Sequence, residues 1–160
     1  MPFAYLLLFL AAGLDLSGTW KMDESRSESA HQAVPIGPVV LVVKQTSTRI
    51  TIETRRKESG KPEVRTEVLP FLLDGGETVT QGLESPVKTK AHWDGSKLIT
   101  ETERTVNGSA VTTRNIYTLT AAGKELKVER TLTVQHGYQS EVKDSKSYGT
   151  GTDVFIKSAK

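Results

Sequence analysis

The chain has 160 residues, no cysteine, and 21 basic against 19 acidic side chains. A chain of this length suits one domain with a sizeable core, burying roughly 70% of its unfolded surface. Balanced charge supplies no basic stripe for nucleic acid or an anionic membrane, and without cysteine there is no disulfide, thiol chemistry, thiolate metal site or lipid-modified cysteine.

Phe3 to Leu14 is an apolar run, too short to span a bilayer as a helix of about 20 residues. Its length suits the hydrophobic part of a secretory signal, and Ala11-Ala12-Gly13 offers small residues for cleavage before Leu14. Residues 1–13 are therefore expected to be a signal and 14–160 a single periplasmic or secreted domain with no integral membrane segment. No Lys or Arg precedes the run; a buried N-terminal strand or a misassigned start is the alternative.

A strand is predicted from Leu16 to Met22. The polar stretch Asp23 to Gly37 that follows has room for one or two helical turns before Pro35 stops them. A connection this long inside a compact domain is often a lid or binding element. Strands follow at Val39 to Gln45 and Arg49 to Arg56, the second alternating Ile50, Ile52 and Thr54 against Arg49, Thr51, Glu53 and Arg55. The run Arg55-Arg56-Lys57, like Lys88 and Lys90, sits beside a turn or on a polar strand face and reads as solvated; a phosphate patch is the competing reading. Val64 to Leu69 pairs back across Gly60, and Pro70 confines its far end to a sheet edge or bulge. Phe71 to Thr80 is ambiguous, with Gly82 and Pro86 marking a loop. Val87 to Trp93, Lys97 to Thr105, Ser109 to Thr120 and Glu125 to Gln135 alternate clearly, and Asp153 to Ser158 supplies a last strand.

Gly-containing turns separate these segments: Ser59-Gly60-Lys61-Pro62, Asp74-Gly75-Gly76, Asp94-Gly95, Asn107-Gly108, Ala122-Gly123-Lys124 and His136-Gly137. Asn-Gly and Asp-Gly supply the positive φ that two-residue hairpins need. The expected fold class is all-β, an antiparallel up-and-down meander of eight to nine strands with no substantial helix. Closing it into a barrel, first strand against last, removes exposed edges. A two-sheet sandwich is the rival, but it needs long crossovers, and only short turns follow Pro86 until His136.

Leu16-Ser17-Gly18-Thr19-Trp20-Lys21-Met22 resembles the opening strand of the calycin group, the lipocalins and fatty-acid-binding barrels, which begin with Gly-x-Trp. Trp93-Asp94-Gly95-Ser96-Lys97-Leu98, and the stretch from Thr118-Leu119 through Gly123-Lys124-Glu125-Leu126, resemble recurring units of small bacterial lipocalin-like proteins of mostly unassigned function. Asp23–Ser27 and Leu73-Asp74-Gly75 are similar in kind. The resemblance implies a lipocalin-like β-barrel with a habit of holding small apolar ligands, and Trp20 as the plug of one end. Three departures limit it. The lipocalin Thr-Asp-Tyr segment has no clear counterpart. The arginine that lies over the lipocalin tryptophan is missing, leaving Lys157 as the nearby cation, and the Arg-x-Tyr pair of fatty-acid-binding barrels is replaced by Asp153-Val154-Phe155. The carboxylate clamp therefore does not transfer.

Arg130 is the anomaly. Strict alternation sets it among Leu126, Val128, Leu132 and Val134, and an unpaired buried charge costs several kcal/mol. It either orients a ligand carboxylate or carbonyl in the lumen, pairs internally with Glu101 or Glu103, turns outward at a bulge, or reaches the mouth. On the preceding strand Val111, Thr113, Asn115, Tyr117 and Leu119 make the more apolar, inward set; a bulge would put Arg114 inside instead. Trp93 reads as a rim or core aromatic rather than a ligand platform. His31, His92 and His136 show no metal spacing, no paired nucleophile and no inward placement for haem, so no cofactor is expected. Asn107-Gly108-Ser109 matches a glycosylation sequon that the hairpin turn already explains.

The expected function is a barrel binding a small, mostly apolar or amphiphilic ligand, with Arg130, Tyr117, Asn115, Val128 and Leu132 as its ligand-binding residues and the Asp23–Gly37 loop over its mouth. The alternative is a filled barrel acting as an interaction module through its outer face or an edge strand. An enzyme has no supporting motif, and no protein partner is legible.

Overall fold

The computed structural model describes residues 14–58, 60–135 and 146–159. The apolar N-terminal run, Ser59, His136 and the turn it begins lie outside the described residues. Ten strands form one antiparallel sheet: β1 (Gly18–Met22), β2 (Ile36–Gln45), β3 (Arg49–Glu58), β4 (Val64–Leu72), β5 (Thr78–Gln81), β6 (Pro86–Asp94), β7 (Lys97–Val106), β8 (Ser109–Thr120), β9 (Glu125–Gln135) and β10 (Lys146–Lys157). Two single 3₁₀ turns, Glu24–Arg26 and Glu28–His31, occupy the predicted helical stretch.

Spatial order is β4-β3-β2-β1-β10-β9-β8-β7-β6-β5. The first and last strands do pair, Trp20 opposite Lys157 and Met22 opposite Phe155. The sheet curls into a nearly closed barrel whose two borders, β4 and β5, share no ladder among the described residues. The Thr89 hydroxyl donates to the Pro70 carbonyl (2.6 Å), and the Gly75 N–H donates to the Ala91 carbonyl (3.0 Å), tying β4 and its following turn to β6.

Several bounds differ from the sequence reading, each for a local reason. β4 runs through Pro70 to Leu72, because β4 borders the sheet and the proline's missing N–H costs no ladder bond there. β2 begins at Ile36, with a register irregularity between Ile36 and Val39 that accommodates Pro38. β10 begins at Lys146, where small polar residues such as Gly149, Thr150 and Gly151 hide the alternation. With β5 resolved from the ambiguous stretch, the strands number ten rather than eight or nine.

The asparagine-glycine turn behaves as expected, Asn107 and Gly108 both having positive φ (50° and 79°). Trp20 is fully buried; its indole N–H donates to the Leu16 carbonyl at 2.9 Å, and Lys157 Nζ lies 5.4 Å from the ring centroid. Gly18 permits this, since a Cβ there would come within 2.9 Å of the Lys157 stem. Trp20 belongs to the same core cluster as Leu16, Leu41, Val43, Ile50, Phe71 and Leu126, each such side chain worth about 1.5–3 kcal/mol when buried.

Candidate functional site

Alternation along each strand sends one set of side chains into the barrel, and that set changes character along the axis. Near the β2–β3, β6–β7 and β8–β9 turns it is apolar and packed: Ile50, Phe71, Ala91, Leu98 and Leu126 are buried, and Trp93 packs against them as a core aromatic. Toward the β3–β4 and β7–β8 turns the same faces become polar. Two cavities lie there. One of about 130 Å³ is lined by Met22, Ile36, Val39, Leu41 and Phe155 together with Asn115, Tyr117, Val128, Arg130 and Asp153. The other, about 220 Å³, is lined by Arg56, Arg65, Glu67, Arg104 and neighbours from the β5–β6 loop. Thr54 and Arg56 belong to both walls.

Four of the five residues singled out in the sequence therefore meet in one cavity. Register explains it: Asn115 stands opposite Arg130, and Tyr117 opposite Val128. Leu132 is on the same inward face, opposite Thr113, but does not line this cavity. β8 presents the expected set inward, and Arg114 points outward toward Glu101. Tyr117 is buried, and its hydroxyl accepts a long contact of 3.5 Å from the Asn115 amide. Burial pushes the Tyr117 phenol up from its ordinary value, an effect that Thr100 and Asn115 beside it partly oppose.

Arg130 finds an internal partner, but neither Glu101 nor Glu103. Those two lie on the outer face of β7, Glu101 within 3.2 Å of Lys90 Nζ and Glu103 opposite Lys88. The partner is Asp153, which alternation on β10 also turns inward; Arg130 Nη1 is 3.5 Å from its Oδ2. Ser29 joins them. Its N–H and hydroxyl donate to Asp153 (3.0 and 2.6 Å), while Arg130 Nη2 donates to the Ser29 hydroxyl oxygen (2.9 Å). Buried Asp153 thus has three donors around it, which is what a buried carboxylate requires. Gly151, opposite Arg130, leaves the space, since a Cβ there would sit 3.3 Å from Nη2 and 3.4 Å from Glu28 Oε2.

The same contacts fix the Asp23–Gly37 connection. Ser27 Oγ accepts from the Val154 N–H at 2.9 Å and donates to the Val154 carbonyl at 3.2 Å, taking the place of a neighbouring strand. Glu28 accepts from the Thr152 N–H (3.0 Å), and Arg26 reaches Glu125 (2.7 Å). The predicted lid is bolted to β10, and Ser29 becomes part of the cavity wall.

Sequence reasoning missed the wider cavity. Arg56, assigned with its neighbours to a solvated face, continues the inward series Ile50, Ile52, Thr54 and is half-buried between the two cavities. Glu67 and Arg104 face each other across the interior with two bonds of 2.8 Å, and Arg65 pairs with Glu84 at 2.9 Å. The Arg104 guanidinium holds the Glu67 carboxyl below its usual range against the desolvation that would raise it. His31 bonds the Glu24 carbonyl and His92 is exposed.

No family model and no curated protein matches the sequence. Solved structures do match in shape. A secretory abundant heat soluble protein of Ramazzottius varieornatus superposes with a TM-score of 0.54 at 16% identity, covering 89% of this chain and 94% of that one. Secretory abundant heat soluble protein 4 of the same organism gives 0.55 at 16% identity, covering 92% and 98%. Human cRBP IV gives 0.53 at 16% identity, covering 91% and 99%. At this identity the likeness establishes the fold, a lipocalin-like barrel, as the Gly-x-Trp opening implied.

Proposed function

We propose that the barrel binds a small, mostly apolar or amphiphilic ligand in the cavity between Arg130, Asn115, Tyr117 and Val128. The observation that carries this reading is the paired void inside the barrel, about 130 Å³ where aliphatic side chains meet Asn115, Tyr117 and the Arg130–Asp153 pair, beside about 220 Å³ at the polar end. Pockets for drug-sized molecules run from roughly 300 to 1,000 Å³, so the ligand is small. Burial of its apolar part at about 25 cal/mol per Å² supplies affinity, and Asn115 and Tyr117, beside the internally paired Arg130, offer the polar contacts that orient it. Leu132 extends the aliphatic surface on the mouth side.

The protein acts as an exported carrier or scavenger, residues 1–13 being removed and 14–160 forming the working domain. Names of two structural neighbours describe secretory proteins, which supports that location. Among the described residues no helix is long and apolar enough to cross a membrane.

Native mass spectrometry of protein purified from its own source tests the reading. A co-purified small mass that is lost from Val128→Trp, which fills the cavity, is the expected result. Absence of any such mass, together with no uptake of an apolar fluorophore, favours the second reading, an interaction module. That reading draws on Val64, Val68 and Val79, exposed at 57, 48 and 68% on the two border strands.

A further inference from the structure

Among the described residues, the charges inside the polar end pair off with one exception. Glu67 takes Arg104, Glu84 takes Arg65 and Asp153 takes Arg130. The guanidinium of Arg56, on the wall common to both cavities, has no hydrogen bond and no carboxylate within 4 Å among the described residues; its field reaches Glu67 only as a lesser contribution to that carboxyl's lowered pKa.

Its placement is also unfavourable for the fold alone. The β3–β4 register sets Arg56 directly opposite Arg65 on the same inward face, and like charges in a cross-strand pair are destabilising. With Glu84 engaged by Arg65, none of the five guanidinium donors of Arg56 is taken by a described residue, in a half-enclosed site. Thr54, Ser85 and Thr105 add hydroxyls to the surrounding wall. The cavity on the other side of Arg56 is smaller and the less polar of the two, with Met22, Ile36, Val39, Leu41, Val128 and Phe155 facing the internally paired Arg130 and Asp153.

We infer that Arg56 is the residue that receives an oxyanion group, carboxylate or phosphate, and that the ligand is a short-chained amphiphilic acid held with its charge toward the wider cavity and its chain in the narrower one. This rests on the reading of the barrel as a binding protein and adds the class and direction of its ligand. The guanidinium fork matches either oxyanion with two parallel bonds, and its partial enclosure makes those bonds stronger than they would be in water. The narrow cavity excludes long chains, and Arg130 stays with Asp153 rather than meeting the ligand's charge.

Calorimetric titration at pH 7 with octanoate, octyl phosphate and 1-octanol decides the matter, using the protein and Arg56→Gln. At least one acid binds the unaltered protein about 10- to 100-fold more tightly than octanol, as a charge-assisted bond of roughly 1.5–3 kcal/mol requires. The tighter acid identifies the oxyanion. In Arg56→Gln that preference vanishes while octanol affinity is unchanged, and thermal stability stays equal or rises because the repulsion with Arg65 is gone. Octanol binding with no preference for either acid overturns the inference and leaves the binding barrel standing. Failure of all three to bind removes both. A preference retained in Arg56→Gln, or a variant that is clearly destabilised, also overturns the inference, the latter by showing that Arg56 has a structural partner.

Discussion

Glu67 on β4 and Arg104 on β7 form a two-bonded ion pair across the barrel interior, both bonds 2.8 Å long, with side-chain exposures of 18 and 27%. The strands that carry them are not neighbours in the sheet, so the pair spans a part of the wall that backbone ladders leave unjoined. Its strength follows from geometry and partial burial, since exposed single-point pairs contribute little.

Replacing Glu67 by Gln is expected to cost about 1–3 kcal/mol at pH 7. Arg104 lowers the folded-state pKa of Glu67, so the contribution is complete above the ordinary carboxylate value of 4.5 and is lost as pH falls through the folded value. Urea unfolding of both proteins at pH 7 and in acid checks this. The stability gap should narrow on acidification; a gap that stays constant would show that the ion pair is not its source.

Tyr117 gives the opposite dependence. Burial raises its folded-state pKa above 10.0, so the unfolded chain ionises first and stability falls as pH rises from about 10. Tyr117→Phe should unfold at a higher pH than the unaltered protein, read as tryptophan fluorescence along an alkaline titration. Coincident alkaline transitions would count against a buried neutral phenol at this position.

Asp153 holds Arg130 to β10 and the second 3₁₀ turn to the barrel. Asp153→Ala leaves the partly buried Arg130 guanidinium without its counter-ion and the Ser29 N–H without its acceptor, an expected loss of about 3–5 kcal/mol. Ser29→Ala keeps the ion pair and should cost only ~1–2 kcal/mol. Hydrogen exchange separates the effects: both variants should expose the backbone of 24–31, whereas only Asp153→Ala should also loosen β9.

Ala121 and Ala122, in the turn between β8 and β9, have φ of 50° and 56°. An L-residue in that region is strained by about 1–2 kcal/mol, so Ala122→Gly should raise the denaturant midpoint despite the greater freedom it gives the unfolded chain. An unchanged or lower midpoint would mean that the methyl group makes compensating contacts.

Much of this structure was legible from spacing alone. Positive-φ turns and period-two runs fixed the meander, and strict alternation on β9 singled out Arg130 as a charge among aliphatics. Choosing the more apolar face of β8 brought Asn115 and Tyr117 to the same cavity. What stayed hidden was pairing over long sequence distance. Asp153 was read only as part of a closing Asp-Val-Phe strand, because nothing local reveals that Ser29 and Arg130 converge on its carboxylate. Arg56 was concealed by its neighbours: within Arg55-Arg56-Lys57 the charge suggests a wet surface, yet counting one step past Thr54 turns the middle residue inward. β5, four residues long, is too short for alternation to declare itself.

The missing ladder between β4 and β5 has a mechanical consequence. Among the described residues the wall along that seam is held chiefly by side chains, Thr89 on Pro70, Glu67 on Arg104 and the Leu83 N–H, and Arg65 on Glu84, with a backbone hydrogen bond from Gly75 to Ala91 at one end. Parting the two borders would require breaking a few discrete clasps, whereas parting any other pair of strands means unzipping a whole row of paired peptides. Breathing of the barrel is therefore cheapest beside the wider cavity, while the tryptophan end stays shut.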